Sequence, residues 1–289
     1  MDSLKLLLVA SLILAVGFRP VEADAQESGE HEWTNVTELS FLLSGGNAGA
    51  SSLGLRNAVR RTAPNGELRI DLAAIRTDAI RSTRVAEGAD SDDYVVREDR
   101  ERDRTVERYS IQLRYDRNLS DRFYAFGGSS WDRNEPGGFE HRTVTVLGAG
   151  SRWGPGGDEW RLRVGYGVTY TVQRDVTPDP DRDDSFAGAR LTLDHEYHFS
   201  EGARAESSWT IDGNAQRMRD FRGDLTTSVS SQLGSRLALQ TTVQLLWDND
   251  PPLERLPLLG PDGEASAEDV LEPLRRLDHS LSVGLAITL

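Results

Sequence analysis

Between residues 159 and 173 apolar and polar positions alternate without a break. Trp160, Leu162, Val164, Tyr166, Val168, Tyr170 and Val172 take the even places, and Arg161, Arg163, Gly165, Gly167, Thr169 and Thr171 the odd ones. Period two is the mark of a β-strand with one apolar face. Strands in soluble domains run to roughly five or six residues, whereas a tilted strand that crosses a bilayer needs roughly nine to eleven. The length of this segment therefore predicts a membrane-crossing strand.

The pattern recurs. Tyr109, Ile111, Leu113 and Tyr115 alternate with polar neighbours, as do Leu191, Leu193, His195 and Tyr197, then Leu237, Leu239, Val243, Leu245 and Trp247, and finally Leu281, Val283, Leu285, Ile287 and Leu289. Weaker versions occupy 36–44, 51–60, 67–77, 123–133, 140–153, 203–212 and 221–233. With these the sequence predicts an all-β fold, a transmembrane antiparallel up-and-down barrel of about 12 strands. Every second link is short and rich in turn residues, at 63–66, 118–121, 154–157, 200–202 and 234–236. The three longest links, 78–104, 175–184 and 249–276, all fall in the other set. Short periplasmic turns and long extracellular loops produce that order.

Composition narrows the picture. Mean hydropathy is -0.49, too low for a bundle of membrane helices but compatible with strands that hide a polar face. Lys5 precedes the apolar run 6–18, and Ala23-Asp24-Ala25 offers small residues to signal peptidase, so residues 1–25 read as a signal peptide cleaved before Gln26. Residues 26–35 then form a short periplasmic segment and residues 36–289 the barrel, located in the cell outer membrane. The full chain carries a net charge of -14, which argues against nucleic acid as a partner. Lys5 is its sole lysine, so the other cations are arginines, which stay charged and bind carboxylate or phosphate through a two-pronged fork. Cysteine is absent, which removes disulfides and thiolate metal sites.

Aromatics sort towards strand ends. Tyr115, Tyr124, Trp153, Trp160, Tyr197 and Phe199 fall near the short turns, and Trp131, Tyr170, Trp209, Phe221 and Trp247 near the long links. Two interfacial girdles are expected from such placement.

Three stretches carry a likeness to a known family: residues 39–55 with the turn Ser44-Gly45-Gly46-Asn47, residues 108–128, and Asp248-Asn249-Asp250-Pro251-Pro252 before the closing strand. With them the chain resembles the salt-induced outer-membrane proteins, a domain-of-unknown-function family of Gram-negative bacteria, from about Val36 to Leu289. The resemblance implies an outer-membrane barrel linked to envelope or salt stress and brings no catalytic residues. Leu289 stands where such barrels end on an aromatic, and residues 253–276 form a longer insert than the family pattern has.

Strand parity points a set of charged side chains inward: Arg114, Arg161, Arg163, Arg190, Asp194, Glu196, Arg204, Glu206, Asp212 and Asp224. They line either a polar channel or a lumen filled by side chains of opposite sign, because a buried ion must be paired or solvated. The reading is a structural or narrow-pore barrel, with no enzyme activity and no cofactor. Two other readings stay open, an outer-membrane hydrolase on the barrel scaffold and a soluble periplasmic ligand-binding barrel. His195 and His279 share the apolar parity, and His198 faces inward without a serine at recognisable spacing. Asp179, Asp181 and Asp183 imitate the opening of a calcium loop, but Asp184 replaces its glycine and Arg190 its closing acid. The three longest links hold 21 acids and 10 arginines, a net of -11. Partners expected on these grounds are outer-membrane lipid and lipopolysaccharide, divalent cations at the acidic loops, and the barrel-assembly machinery at the C-terminal strand.

Overall fold

The computed structural model describes residues 32–44, 48–88, 94–155, 159–259 and 265–288. The expected signal peptide and cleavage point, the glycine pair of the 44–47 turn and Leu289 lie outside them. Twelve antiparallel strands close into a barrel in which each pairs with its neighbours in sequence order: β1 (Glu32–Ser44), β2 (Ala48–Ala63), β3 (Gly66–Gly88), β4 (Tyr94–Asn118), β5 (Phe123–Asn134), β6 (Phe139–Trp153), β7 (Trp160–Asp175), β8 (Ser185–Ser200), β9 (Ala203–Asn214), β10 (Phe221–Gln232), β11 (Leu237–Asp248) and the closing β14 (Leu277–Thr288). The barrel begins at Glu32, four residues before the expected start.

The expected apolar face points outward. On β7, Tyr166, Val168, Tyr170 and Val172 are exposed, whereas Gly165, Thr169, Thr171 and Gln173 are buried. From Leu162 to Val172 this band runs about 33 Å along the strand, or about 25 Å in height at the usual tilt of roughly 40°. Above it the outer face turns ionic, with Arg174 Nε 3.0 Å from Glu140 Oε2. The girdle residues Tyr115, Trp153, Tyr197, Phe199, Trp131, Tyr170, Trp209 and Trp247 are exposed.

Tyr124 departs from that set: it is fully buried inside the barrel. It shares the inward parity of β5 with Phe126, and Phe123 takes the outward place instead. Glycines on the facing strands make the space, since a Cβ on Gly150 would fall 2.4 Å from both the Tyr124 ring and the Val164 carbonyl oxygen. Gly150→Val is therefore expected to cost roughly 3 kcal/mol, the upper part of the usual overpacking range. Urea unfolding of refolded barrel would measure it, and Ala149→Val on the outer parity should be close to neutral.

Two long links differ from expectation. Most of 78–104 is paired strand, with β3 and β4 continuing as a hairpin past the apolar band. Its register sets Asp78 opposite Arg104, Arg81 opposite Glu101 and Arg84 opposite Glu98. With neither face apolar, the segment has no period-two signal to read. The insert 253–276 contains a second hairpin, β12 (Leu253–Leu259) and β13 (Ala265–Pro273), which pairs only with itself. Pro251, Pro252 and Pro257 read as strand breakers there.

Candidate functional site: the lumen and its mouth

Inward positions bring the sequence-predicted charges into pairs. Arg190 grips Asp212 through two parallel bonds of 2.7 Å, Nε to Oδ1 and Nη2 to Oδ2. Arg204 Nε lies 3.2 Å from Glu206 Oε1, and Arg161 Nε 3.6 Å from Glu196 Oε2. His198 Nε2 meets the other Glu196 oxygen at 2.7 Å. Asp194 accepts a bond from Ser208 Oγ at 2.7 Å, and Asp224 one from Gln244 Nε2 at 3.1 Å. Arg114 and Arg163 converge on a residue the sequence reading passed over, Asp116. Arg114 Nε donates to it at 2.7 Å and Arg163 binds its second oxygen.

Asp116 is 1% exposed, and the network around it plugs one side of the lumen towards the short turns. Arg163 continues to Glu67, which also binds Arg69. Tyr124, Phe126 and Val146 form an apolar core beside it. The Arg114 guanidinium lies 4.1 Å from the Phe126 ring centre, and those of Arg152 and Arg163 lie 4.7 and 5.0 Å from that of Tyr124. Stacking of this kind favours cations that cannot be fully hydrated.

The rest of the lumen is open. A cavity of ≈ 890 Å³ runs from Thr34, Arg60 and Thr288 at the short-turn end to Asp248, Pro251 and Pro252 at the other. Among the described residues nine arginines line it (56, 60, 108, 142, 190, 204, 222, 275 and 276) against nine acids (38, 71, 132, 206, 212, 224, 248, 254 and 278). Its wall is thus neutral in sum although the chain is strongly acidic. Of the ten predicted residues, Arg190, Arg204, Glu206, Asp212 and Asp224 line this cavity, and Arg114, Arg161, Arg163, Asp194 and Glu196 do not.

At the long-link end a strap crosses the mouth. After β11 the chain runs through Asp250-Pro251-Pro252, and Pro252 and Leu274 pack on the tight turn between β5 and β6. A Cβ on Gly138 would lie 2.6 Å from each of them, and Gly138 itself has φ 90°, a conformation that suits glycine. Five strands separate β11 from β5 whichever way round the barrel one counts, so the strap meets a turn that belongs to the opposite wall. Leu274 N–H donates to Pro252 O at 2.9 Å. Asp250 anchors it: its Oδ2 lies 2.7 Å from Arg217 Nε, 3.4 Å from Arg219 Nε and 3.6 Å from Arg182 Nη2, and Arg182 also binds the Asp250 carbonyl oxygen. The same knot answers the calcium-like run. Asp175 lies 3.4 Å from Arg182, and Asp179 lies 4.0 Å from both Arg182 and Arg217. Asp179 also accepts the Asp181 N–H at 2.9 Å. These carboxylates face arginines, and among the described residues no group of three metal-ligating side chains stands together. His195 and His279 lie exposed on the outer parity.

No curated protein matches the sequence. Among solved structures, the anion-selective porin from Comamonas acidovorans is similar at 11% identity over 91% of this chain and 100% of its own, with a TM-score of 0.38. The NanC porin matches at 10% identity over 89% and 100%, TM-score 0.44. The translocator domain of the autotransporter NalP from Neisseria meningitidis matches at 13% over 98% and 95%, TM-score 0.40. What those proteins select or translocate does not transfer at such distances. Residues 37–256 match a family described as protein of unknown function, DUF481, a span that covers most of the barrel and includes the Asp250 strap. The chain is a member of the DUF481 family.

Proposed function

We propose that the chain spans the outer membrane and acts there as a narrow, charge-balanced conduit whose long-link mouth is held by the Asp250 strap. The observation that carries this reading is the cavity that reaches residues at both barrel ends, yet is crossed at one of them. The outward apolar band of about 25 Å supports membrane placement, because that is the height of the lipid-facing band of outer-membrane barrels. Spread over the same height, the ≈ 890 Å³ cavity averages about 36 Å² in section, narrow for a barrel of twelve strands. Facing arginines and acids would slow neither sign of ion preferentially. Signal cleavage before Gln26, delivery through β14 to the assembly machinery, and long links turned towards lipopolysaccharide complete the reading.

Proteoliposomes test it. Refolded barrel should let potassium and chloride leak out while retaining a disaccharide. Release of the sugar as fast as the ions would contradict the narrow lumen, and retention of the ions would contradict the conduit.

A further inference from the structure

The barrel is closed unevenly. Every ladder but one in it holds eleven or more residue pairs. Between β1 and β14 there are four, from Val36 opposite Thr288 to Leu39 opposite Leu285. Continued in the same register, Ser40 would face Gly284, Phe41 would face Val283 and Ser44 would face Ser280. Those rungs are not formed, although β1 runs on to Ser44 and β14 starts at Leu277.

The point where the strands part is defined by contacts. Gln240 Nε2, on β11, reaches across β14 to Glu38 Oε2 at 3.1 Å. Gly284 lies beneath that bond, and a Cβ there would come 2.8 Å from the Leu39 carbonyl oxygen and 3.2 Å from Ser40 Cβ. The strands thus touch at Gly284 and separate beyond it, in the half of the barrel nearer the strap.

An unpaired edge facing lipid is unfavourable, since no water is there to bond its N–H and C=O groups, and closed barrels normally leave none. The two sides of this parting differ in chemistry. Outside stand Phe41, Leu281 and Val283, exposed by 82, 69 and 53%. Inside, the cavity wall beside it holds Glu38, Arg56, Gln240 and Asp278, with the adjacent Arg275 and Arg276 just above β14. A molecule that fits both sides has an apolar tail and a polar head, and neighbouring guanidinium forks match a phosphate in that head.

We propose that the parting between β1 and β14 is a lateral portal, through which a phosphate-bearing membrane amphiphile seats its head in the lumen while its acyl chains stay against Phe41, Leu281 and Val283. The portal rests on membrane placement, and the test separates the two. A photoreactive benzophenone side chain is placed at lumen-facing Ser282, at lumen-facing Thr226 between fully paired strands, or at outward Val168. Each protein is reconstituted in phosphatidylcholine vesicles that carry tail-labelled phosphatidylglycerol. Val168 and Ser282 should both capture labelled lipid, and Thr226 several-fold less. Tail-labelled diacylglycerol, which lacks phosphate, should be captured at Val168 but weakly at Ser282. Because the chain has no cysteine, Phe41→Cys with Val283→Cys supplies a clean lock, and its oxidation should abolish capture at Ser282. Capture at Val168 with none at Ser282 overturns the portal alone. No capture at Val168 overturns membrane placement and the portal with it. Equal capture at Ser282 and Thr226, or capture at Ser282 unaffected by the lock, shows lipid arriving by another route and overturns the portal. Equal capture of diacylglycerol and phosphatidylglycerol at Ser282 overturns the phosphate assignment.

Discussion

Asp250→Ala should convert a mostly closed mouth into a mostly open one. In the native chain its carboxylate sits among Arg182, Arg217 and Arg219, and Arg182 is 8% exposed. Removing one partner from a buried ionic cluster costs roughly 3 kcal/mol or more, because the remaining charges stay buried without compensation. Here that cost falls on the strapped state, whereas a displaced strap exposes the arginines to water. A shift of about 3 kcal/mol changes the balance of the two states by about a hundredfold. Single-channel recordings should therefore show long open dwells at a higher conductance than wild type. Asp250→Asn should behave alike, because the amide keeps the shape and loses the charge. Recordings indistinguishable from wild type would mean that the strap does not limit the lumen. Ionic strength offers a second view: the exposed pair with Arg219 weakens as the screening length falls from about 10 Å at 0.1 M to about 3 Å at 1 M, while the buried pair with Arg182 persists. Partial opening in high salt is expected.

Val168→Arg should be the most destabilising single charge on the outer face. Val168 is 67% exposed at mid-band, opposite Leu147 on one side and Ala189 on the other. An arginine near the bilayer midplane on a lipid-facing strand costs roughly 2–4 kcal/mol. Ser208→Arg is the matched control: Ser208 lines the cavity and already donates to Asp194, so a cation there gains a partner and should cost less than about 1 kcal/mol. Urea unfolding in phospholipid vesicles would compare them. Equal losses would mean that the two faces meet the same surroundings.

Much of this fold could be read from alternation alone, and the reasons are local. β7 is legible because every even position from 160 to 172 is apolar and every odd one from 161 to 171 is not. The outer reach of β3 and β4 is illegible because both faces there carry charged residues, so no period-two signal marks the strands, and only the register reveals their pairing. Closeness to a turn points Tyr124 to a girdle, but parity and the glycines of β6 decide its side. Inward charges such as Arg190 and Asp212 were identifiable one at a time, though not their two-pronged bond, since register between strands is not written in either strand. Asp116 shared the same parity and could have been found by that rule. Arg182 and Arg217 lie in links, where no period points a side chain anywhere. In the sequence the Asp248–Pro252 stretch carries only a family likeness, and its place across the mouth follows from the turn at Gly138 on the opposite wall.

The reading of a strapped, charge-balanced lumen meets its most direct test in a planar bilayer holding the purified, refolded barrel between unequal potassium chloride solutions. Wild-type protein should insert and give a small, mostly closed conductance with a reversal potential near zero, since nine arginines face nine acids along the cavity. A large, steadily open conductance, or a reversal potential close to that of one ion alone, would contradict it.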